Sequence, residues 1–202
     1  MTNRSSDSTE APAAGGDGGV RLALTPPALR NYADAESQQA LRILVVEDDP
    51  AYAAFIAMML QSIGFIRFDV EHVQTLHRAE TCLRDAPFNV VLLDLGLGDA
   101  QGLEALNAVV GAVPDVPVII LSGEDDLVLA LGAVKHGAQD YLLKSQVTPG
   151  ALTRSIGYAV ERKNGELETK RLAYHDSLTR LPNRLLLMEH LEVALHKAKR
   201  GK

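Results

Sequence analysis

The chain has 202 residues, 47% of them hydrophobic and 4% aromatic, and a net charge of −6. That suits one globular domain with a small appendage, its core filled by Leu, Val, Ile and Ala. The acidic balance leaves no footprint for nucleic acid. No stretch is long enough to span a membrane, and the N-terminus lacks an apolar signal core. The expected setting is therefore cytoplasmic, with neither nucleic acid nor membrane as a partner. The one cysteine, Cys82, has no internal partner for a disulfide and reads as a small core or boundary residue.

Residues 1–40 are rich in Ser, Thr, Ala, Gly and Pro, with Gly15-Gly16-Asp17-Gly18-Gly19 and Pro26-Pro27 as breakers. Such a segment buries too little apolar surface to offset its chain entropy. It is expected to be a disordered leader, with room for a short helix within 28–40.

From Leu41 strands and helices alternate. Strand 42–47 (β1) precedes helix 50–63 (α1), where Tyr52, Phe55, Ile56, Met59, Leu60 and Ile63 recur at helical spacing. Pro50 suits the first turn of that helix and Gly64 its end. Strand 67–73 (β2) alternates Phe68 and Val70 with Asp69 and Glu71, as a sheet edge does. Helix 75–85 (α2), strand 88–94 (β3), helix 102–112 (α3) and strand 116–122 (β4) follow. Helix 125–136 (α4), strand 140–144 (β5) and a helix from 149 (α5) complete the series.

Five such units with short connections imply a doubly wound parallel α/β sheet with right-handed crossovers. Four of the strands are short apolar runs, each followed by polar residues: Glu47 and Asp48, Asp94, Ser122, and Lys144. These groups stand at carboxyl ends, where open α/β sheets place their sites. The flavodoxin-like strand order 2-1-3-4-5 makes β1 and β3 neighbours, puts Glu47, Asp48 and Asp94 in one crevice and places Ser122 and Lys144 on the adjoining strands. The constellation favours it over the dinucleotide-binding order.

Three carboxylates in one crevice repel each other unless a cation is present. Magnesium (Mg2+) prefers oxygen ligands and keeps several waters. Asp48 and Asp94 are expected to bind it directly, Glu47 through a water, and the backbone carbonyl of Gly96 as a further ligand. Asp94 stands alone at its strand end and is the expected nucleophile toward phosphorus. Lys144 and Ser122 are expected to contact the incoming phosphoryl oxygens. Taken singly, each residue has a plainer reading. The acidic run before Pro50 can cap α1, and Asp49 can do only that. Ser122-Gly123 can be a turn, and Lys144 a solvated side chain.

Val45-Val46-Glu47-Asp48-Asp49-Pro50, Leu92-Leu93-Asp94-Leu95 with Gly102, Leu121-Ser122-Gly123 and Gly137-Ala138-Gln139-Asp140-Tyr141-Leu142-Leu143-Lys144 together resemble the receiver domain of two-component response regulators, over about residues 41–160. The resemblance implies that Asp94 accepts a phosphoryl group from a histidine kinase or phosphotransfer protein. It implies that Glu47 and Asp48 organise magnesium and that Ser122 and Lys144 contact the phosphoryl group. Tyr141 matches the family's switch aromatic, which turns inward as Ser122 moves; its other reading is an edge-strand packing residue. Two positions depart from the pattern. Ser145 stands where receivers usually carry Pro, and Gly98 stands where many have Pro, which loosens the loop after Asp94.

The last helix, 149–174, is longer than a receiver needs. Leu152, Ile156, Ala159 and Val160 can pack on the sheet; beyond them the sequence is mostly charged, with a weak coiled-coil pattern. Gly165 weakens either a solvated helix or a dimer stalk. Leu172 to Arg184 then resembles the opening of a diguanylate cyclase (GGDEF) domain, of the form Asp-x-Leu-Thr-x-Leu-x-Asn-Arg. This resemblance covers about 172–202, and no Gly-Gly-Asp/Glu-Glu-Phe sequence occurs in the chain. The expected organisation is a leader at 1–40, a receiver at 41–148, a helical stalk at 149–174 and an incomplete GGDEF start at 175–202. No cyclase activity is expected of it as written, whether it is a fragment of a longer regulator or a naturally truncated one. The apolar face of 181–195 is expected to pack on a second chain or fold back.

The leading expectation is a phosphorylatable receiver, which catalyses its own phosphorylation and dephosphorylation. It would homodimerise through the α4–β5–α5 face or the C-terminal helix to control a cyclase output. A stand-alone receiver acting as an interaction module is the alternative. An aspartate-nucleophile phosphatase would need a second Asp two residues after the nucleophile, where Gly96 stands. A flavin binder would need a phosphate-cradling loop where Glu47-Asp48-Asp49 repels phosphate.

Overall fold

The computed structural model describes residues 26–33, 39–123, 127–176, 178–188 and 191. Five parallel strands form one sheet in the order β2-β1-β3-β4-β5. Their bounds are Leu41–Val46, Phe68–Val73, Val90–Asp94, Val118–Ser122 and Asp140–Leu143. The helices are α1 Pro50–Gln61, α2 Leu76–Asp85, α3 Leu103–Ala112, α4 Leu127–Lys135 and α5 Pro149–Tyr174. The doubly wound fold and strand order expected from the sequence are both observed. The expected first residues of α4 fall partly outside the described residues.

Helix starts follow local chemistry. Asp49 Oδ1 accepts the Ala51 N–H at 2.8 Å, with Pro50 in the first turn of α1. Thr75 and Thr148 cap α2 and α5 through bonds from Arg78 and Ala151. Gly64, at a φ of 68°, takes the left-handed conformation just past α1.

The central strands are buried on both faces, which is why they read as unbroken apolar runs. Ile43, Val45 and Leu92 face a cluster completed by α1 and α5. Leu44, Val91 and Leu93 face one completed by α2, α3 and α4. β2 is the half-buried edge, paired to β1 by Arg42 and Asp69 at 3.2 Å. Leu152, Ile156, Ala159 and Val160 of α5 are all buried, as expected. Phe55 is not: it is 40% exposed on α1, where Ile56 and Leu60 take the buried positions.

The short helix allowed for within 28–40 is present, and the start of its segment is docked. Pro27–Leu29 forms a 3-10 turn that runs into the helical turn Arg30–Ala33. Leu29 is fully buried against Ile156 and the α5 side of the core, and Pro26 sits over Gly157, where a side chain would overlap it. The sequence hid this because one leucine among breakers carries no periodicity. The rest of 1–40, apart from Gln39 and Ala40, lies outside the described residues.

Helix α5 runs unbroken through Gly165, and its buried residues end at Val160. Its exposed half is tied back to Gln139, the residue before β5: Arg162 donates to the Gln139 carbonyl and the Gln139 amide to Glu166. A compact turn follows. Asp176 Oδ1 accepts the Leu178 and Thr179 N–H groups, and Asn183 caps a helix at 184–188. Leu178, Leu181, Leu185 and Leu187 are exposed. Asn183 ties the start of this helix back to the end of α5, through the Ala173 and Tyr174 carbonyls. Residues 192–202 lie outside the described residues.

Candidate functional site

Strand register assembles the site. β1 and β3 are neighbours, with Val46 beside Leu93, so Glu47 and Asp48 leave β1 next to Asp94. Asp94 pairs with Leu121 and Ser122 with Leu143, so the hydroxyl and Lys144 leave the next two strands at the same edge. Asp94, Gly96, Ser122 and Lys144 line one cleft of about 480 Å³. Glu47, Asp48 and Asp94 each present a carboxylate oxygen within 4.8 Å of the others. Every site residue expected from sequence lies at this edge except Tyr141. Tyr141 is in β5, half-buried against the cluster that holds Ile120 and Ala133.

Lys144 is the hub. Its Nζ lies 2.8 Å and 2.7 Å from the two carboxylate oxygens of Glu47 and 3.0 Å from Asp94 Oδ2. The ammonium also stands 4.8 Å from the centre of the Tyr52 ring, whose hydroxyl donates to the Lys144 carbonyl at 3.4 Å. Burial alone would lower the lysine's pKa. Its bonds to Glu47 and then to Asp94 outweigh burial and hold the ammonium above its usual value. Tyr52 is pushed up to about 12, first by burial and then by the charges of Glu47 and Asp94.

Glu47 is fully buried. Burial drives its carboxyl above the ordinary value, and the charge of Asp94 adds to the rise against the opposing Lys144. One ammonium shared by two acids leaves this glutamate undercompensated. Its Oε2 faces Lys144 but accepts no hydrogen bond of good geometry. A buried anionic oxygen with spare capacity, beside two more carboxylates, fits a hard divalent cation with oxygen ligands. The main-chain carbonyl of Glu47 is held by His72 Nε2, which donates to it at 2.7 Å. Of the three acids before Pro50, only Asp49 caps the helix.

The loop after Asp94 is tightly closed. Gly102 N–H donates to the Leu95 carbonyl at 2.8 Å, with Gly102 at a φ of 57°. A Cβ at Gly96 would lie 3.4 Å from Asp94 Oδ2, so glycine keeps that side of the carboxylate open. Lys144–Gln146 forms a 3-10 turn, and no peptide bond among the described residues is cis. Sequence reasoning missed Tyr52 as a neighbour of the lysine, since it sits in an apolar stripe that read as packing. It also missed the Lys144–Glu47 pair, which joins residues 97 apart and has no local signal.

The chain is 32% identical over 121 residues to the acid tolerance regulatory protein ActR of Sinorhizobium medicae, covering 59% of this chain and 61% of that protein. It spans less than two thirds of the length of the curated relatives it matches. Among solved structures, a CheY-like response regulator receiver domain from Methanospirillum hungatei superposes with a TM-score of 0.56 at 26% identity. That match covers 63% of this chain and 99% of the other. The signal receiver domain of a modulated diguanylate cyclase from Desulfovibrio desulfuricans superposes with a TM-score of 0.55 at 28% identity, with the same coverage. The family model for the response regulator receiver domain matches residues 43–156. With more than half of its residues inside that match, this chain belongs to the response regulator receiver domain family.

Proposed function

We propose that this receiver is a phosphorylation switch whose acceptor is Asp94. The observation that carries the reading is the meeting of Glu47, Asp48 and Asp94 within 4.8 Å, with Lys144 ion-paired to Glu47 and Asp94. In the step, an Asp94 carboxylate oxygen attacks phosphorus. The bond from phosphorus to the donor's imidazole nitrogen breaks, and that nitrogen keeps the electron pair. Lys144 and Ser122 hold the phosphoryl oxygens, so catalysis is positioning and charge stabilisation. Receivers typically bind magnesium at an acidic site. Asp48, Asp94 and the Gly96 carbonyl would hold the ion here, and Glu47 a water on it; bound, it supplies positive charge against the phosphoryl oxygens.

Receivers interact with histidine kinases and can dimerise. A histidine kinase or phosphotransfer protein is the proposed donor. A homodimer through the α4–β5–α5 face or α5 is the proposed response, with Tyr141 moving as Ser122 does. Val128, Leu131 and Val134 leave an apolar stripe exposed on α4, which supports that face. The proposed organisation keeps a receiver at 41–148, with Pro26–Ala33 docked onto it, and a stalk at 149–174. Residues 175–202 then begin a GGDEF unit, and the output is a diguanylate cyclase. Support comes from the capped turn at Asp176 and Asn183 and from the structural likeness to the receiver of a modulated diguanylate cyclase. The second reading is a stand-alone interaction module, which the exposed apolar stripe on α4 would serve as well.

The test is incubation with a small phosphodonor, with and without magnesium, followed by intact mass and solution molar mass. A magnesium-dependent gain of one phosphoryl group that vanishes in Asp94→Asn, with a rise in molar mass, supports the switch. Phosphorylation with no change in molar mass favours a receiver whose response is not dimerisation. No modification under any condition favours the interaction module.

A further inference from the structure

We infer that Asp99 is a positioning residue for the cation site, holding the loop that carries Gly96 against the start of helix α2. The inference rests on the reading of Glu47, Asp48, Asp94 and the Gly96 carbonyl as a magnesium site.

The loop from Leu95 to Gly102 has two kinds of anchor. Leu95, Leu97 and Ala100 are buried at 5%, 1% and 8% exposure, fixing one side of the loop in the core. Between the last two stand Gly98 and Asp99. Among the described residues, no atom beyond its chain neighbours lies within 4 Å of where a Gly98 Cβ would be, and glycine adds no stiffness of its own. The outer side of the loop is instead held by Asp99. Its Oδ1 accepts the Leu76 N–H at 3.0 Å and its Oδ2 the His77 N–H at 3.2 Å.

These donors belong to the first turn of α2, whose N–H groups have no partner within the helix. The positive end of the helix dipole favours a carboxylate there. Both oxygens are engaged by neighbouring amides, so the contact fixes orientation as well as distance. The Asp99 carboxyl is held below the usual carboxylate range, first by the Leu76 N–H. Thr75 caps the same turn through the Arg78 N–H at 3.3 Å. The helix therefore has a cap of its own, and Asp99 adds a brace from outside. With that brace gone, the Gly98 segment would be tethered only through its buried neighbours and the Gly102–Leu95 bond at the base of the loop, and the Gly96 carbonyl would lose its fixed aim.

The test is a magnesium titration of the full chain, followed by backbone amide resonances, for wild type, Asp99→Ala and Thr75→Ala. Thermal melts without the ion accompany it. Both variants should melt earlier, because each removes a cap. Only Asp99→Ala should raise the titration midpoint, by about tenfold, the low end of what losing an outer support of a metal ligand costs. Its Leu76 and His77 amides should already be displaced without the ion. A midpoint in Asp99→Ala equal to that of wild type makes Asp99 a helix cap and nothing more. An equal shift in Thr75→Ala assigns the effect to α2 stability and also overturns the inference. A wild-type protein that shows no magnesium response overturns the cation-site reading itself, and the inference with it.

Discussion

Replacing Lys144 by Met removes one charge and keeps most of the side chain's bulk. In the native protein that ammonium sits 2.7–2.8 Å from the oxygens of a fully buried Glu47 and 3.0 Å from Asp94 Oδ2. Its loss leaves two carboxylates facing each other out of water. Breaking a fully buried pair costs about 3–5 kcal/mol. The Lys144 side chain is 22% exposed, so water recovers part of that, and a loss of about 2–3 kcal/mol is expected. At roughly 3 °C per kcal/mol for a domain of this size, the melting temperature should fall by about 6–9 °C.

The loss should depend on pH in a defined direction. The folded-state pKa of Glu47 already lies above its ordinary value because of burial and Asp94. Removing Lys144 deletes the main group opposing that rise and leaves only the Asp49 N–H against it. An acid with a raised folded pKa contributes stability below its unfolded pKa and loses it as pH rises through the folded one. The deficit of Lys144→Met should therefore be small at pH values below the ordinary glutamate range. It should grow as pH climbs through the raised Glu47 pKa. Magnesium should narrow the deficit at neutral pH by supplying positive charge to the same oxygens. Thermal melts at several pH values, with and without magnesium, measure all three effects. A variant that melts like wild type at neutral pH would make Lys144 an ordinary solvated lysine and refute the reasoning.

Other substitutions test other parts of the account. Glu47→Gln should raise the melting temperature of the magnesium-free protein, because the glutamate's raised pKa means its surroundings favour the neutral form; the same change should weaken magnesium binding in a titration. Gly157→Ala places a methyl group where Pro26 sits. It should release the Pro26–Ala33 segment and raise its rate of proteolytic cleavage. Leu29→Ala should cost about 2–4 kcal/mol in denaturant unfolding, because Leu29 is fully buried in the α5 side of the core. Unchanged stability in that variant would mean that the segment is not docked in solution.

The sheet was legible because its central strands are buried on both faces and announce themselves as unbroken apolar runs. Each ends in a polar residue, so the same runs that gave the fold also located the cleft. Strand and helix ends were read a residue or two too long, as at α1. There the Ser62 N–H makes the last helical bond, to Met58, and Ile63 bonds to Leu60 in a tighter turn that ends the helix. What stayed hidden depends on contacts between distant residues. Lys144 and Glu47 lie 97 apart, and Asp99 reaches helix α2 across 22 and 23 positions. Leu29 finds its place through Gly157, a notch that only the folded helix creates. Tyr52 belongs to the apolar stripe of α1 and to the lysine at once, and periodicity reports only the first.

The central claim is that Asp94 receives a phosphoryl group. Treating the protein with a small phosphodonor and magnesium, reducing it with borohydride and mapping the peptides by mass tests this directly. An acyl phosphate on Asp94 would be reduced to homoserine at position 94 and nowhere else, and only when magnesium is present. Reduction at another acidic residue, or none under conditions that phosphorylate other receivers, would contradict the account.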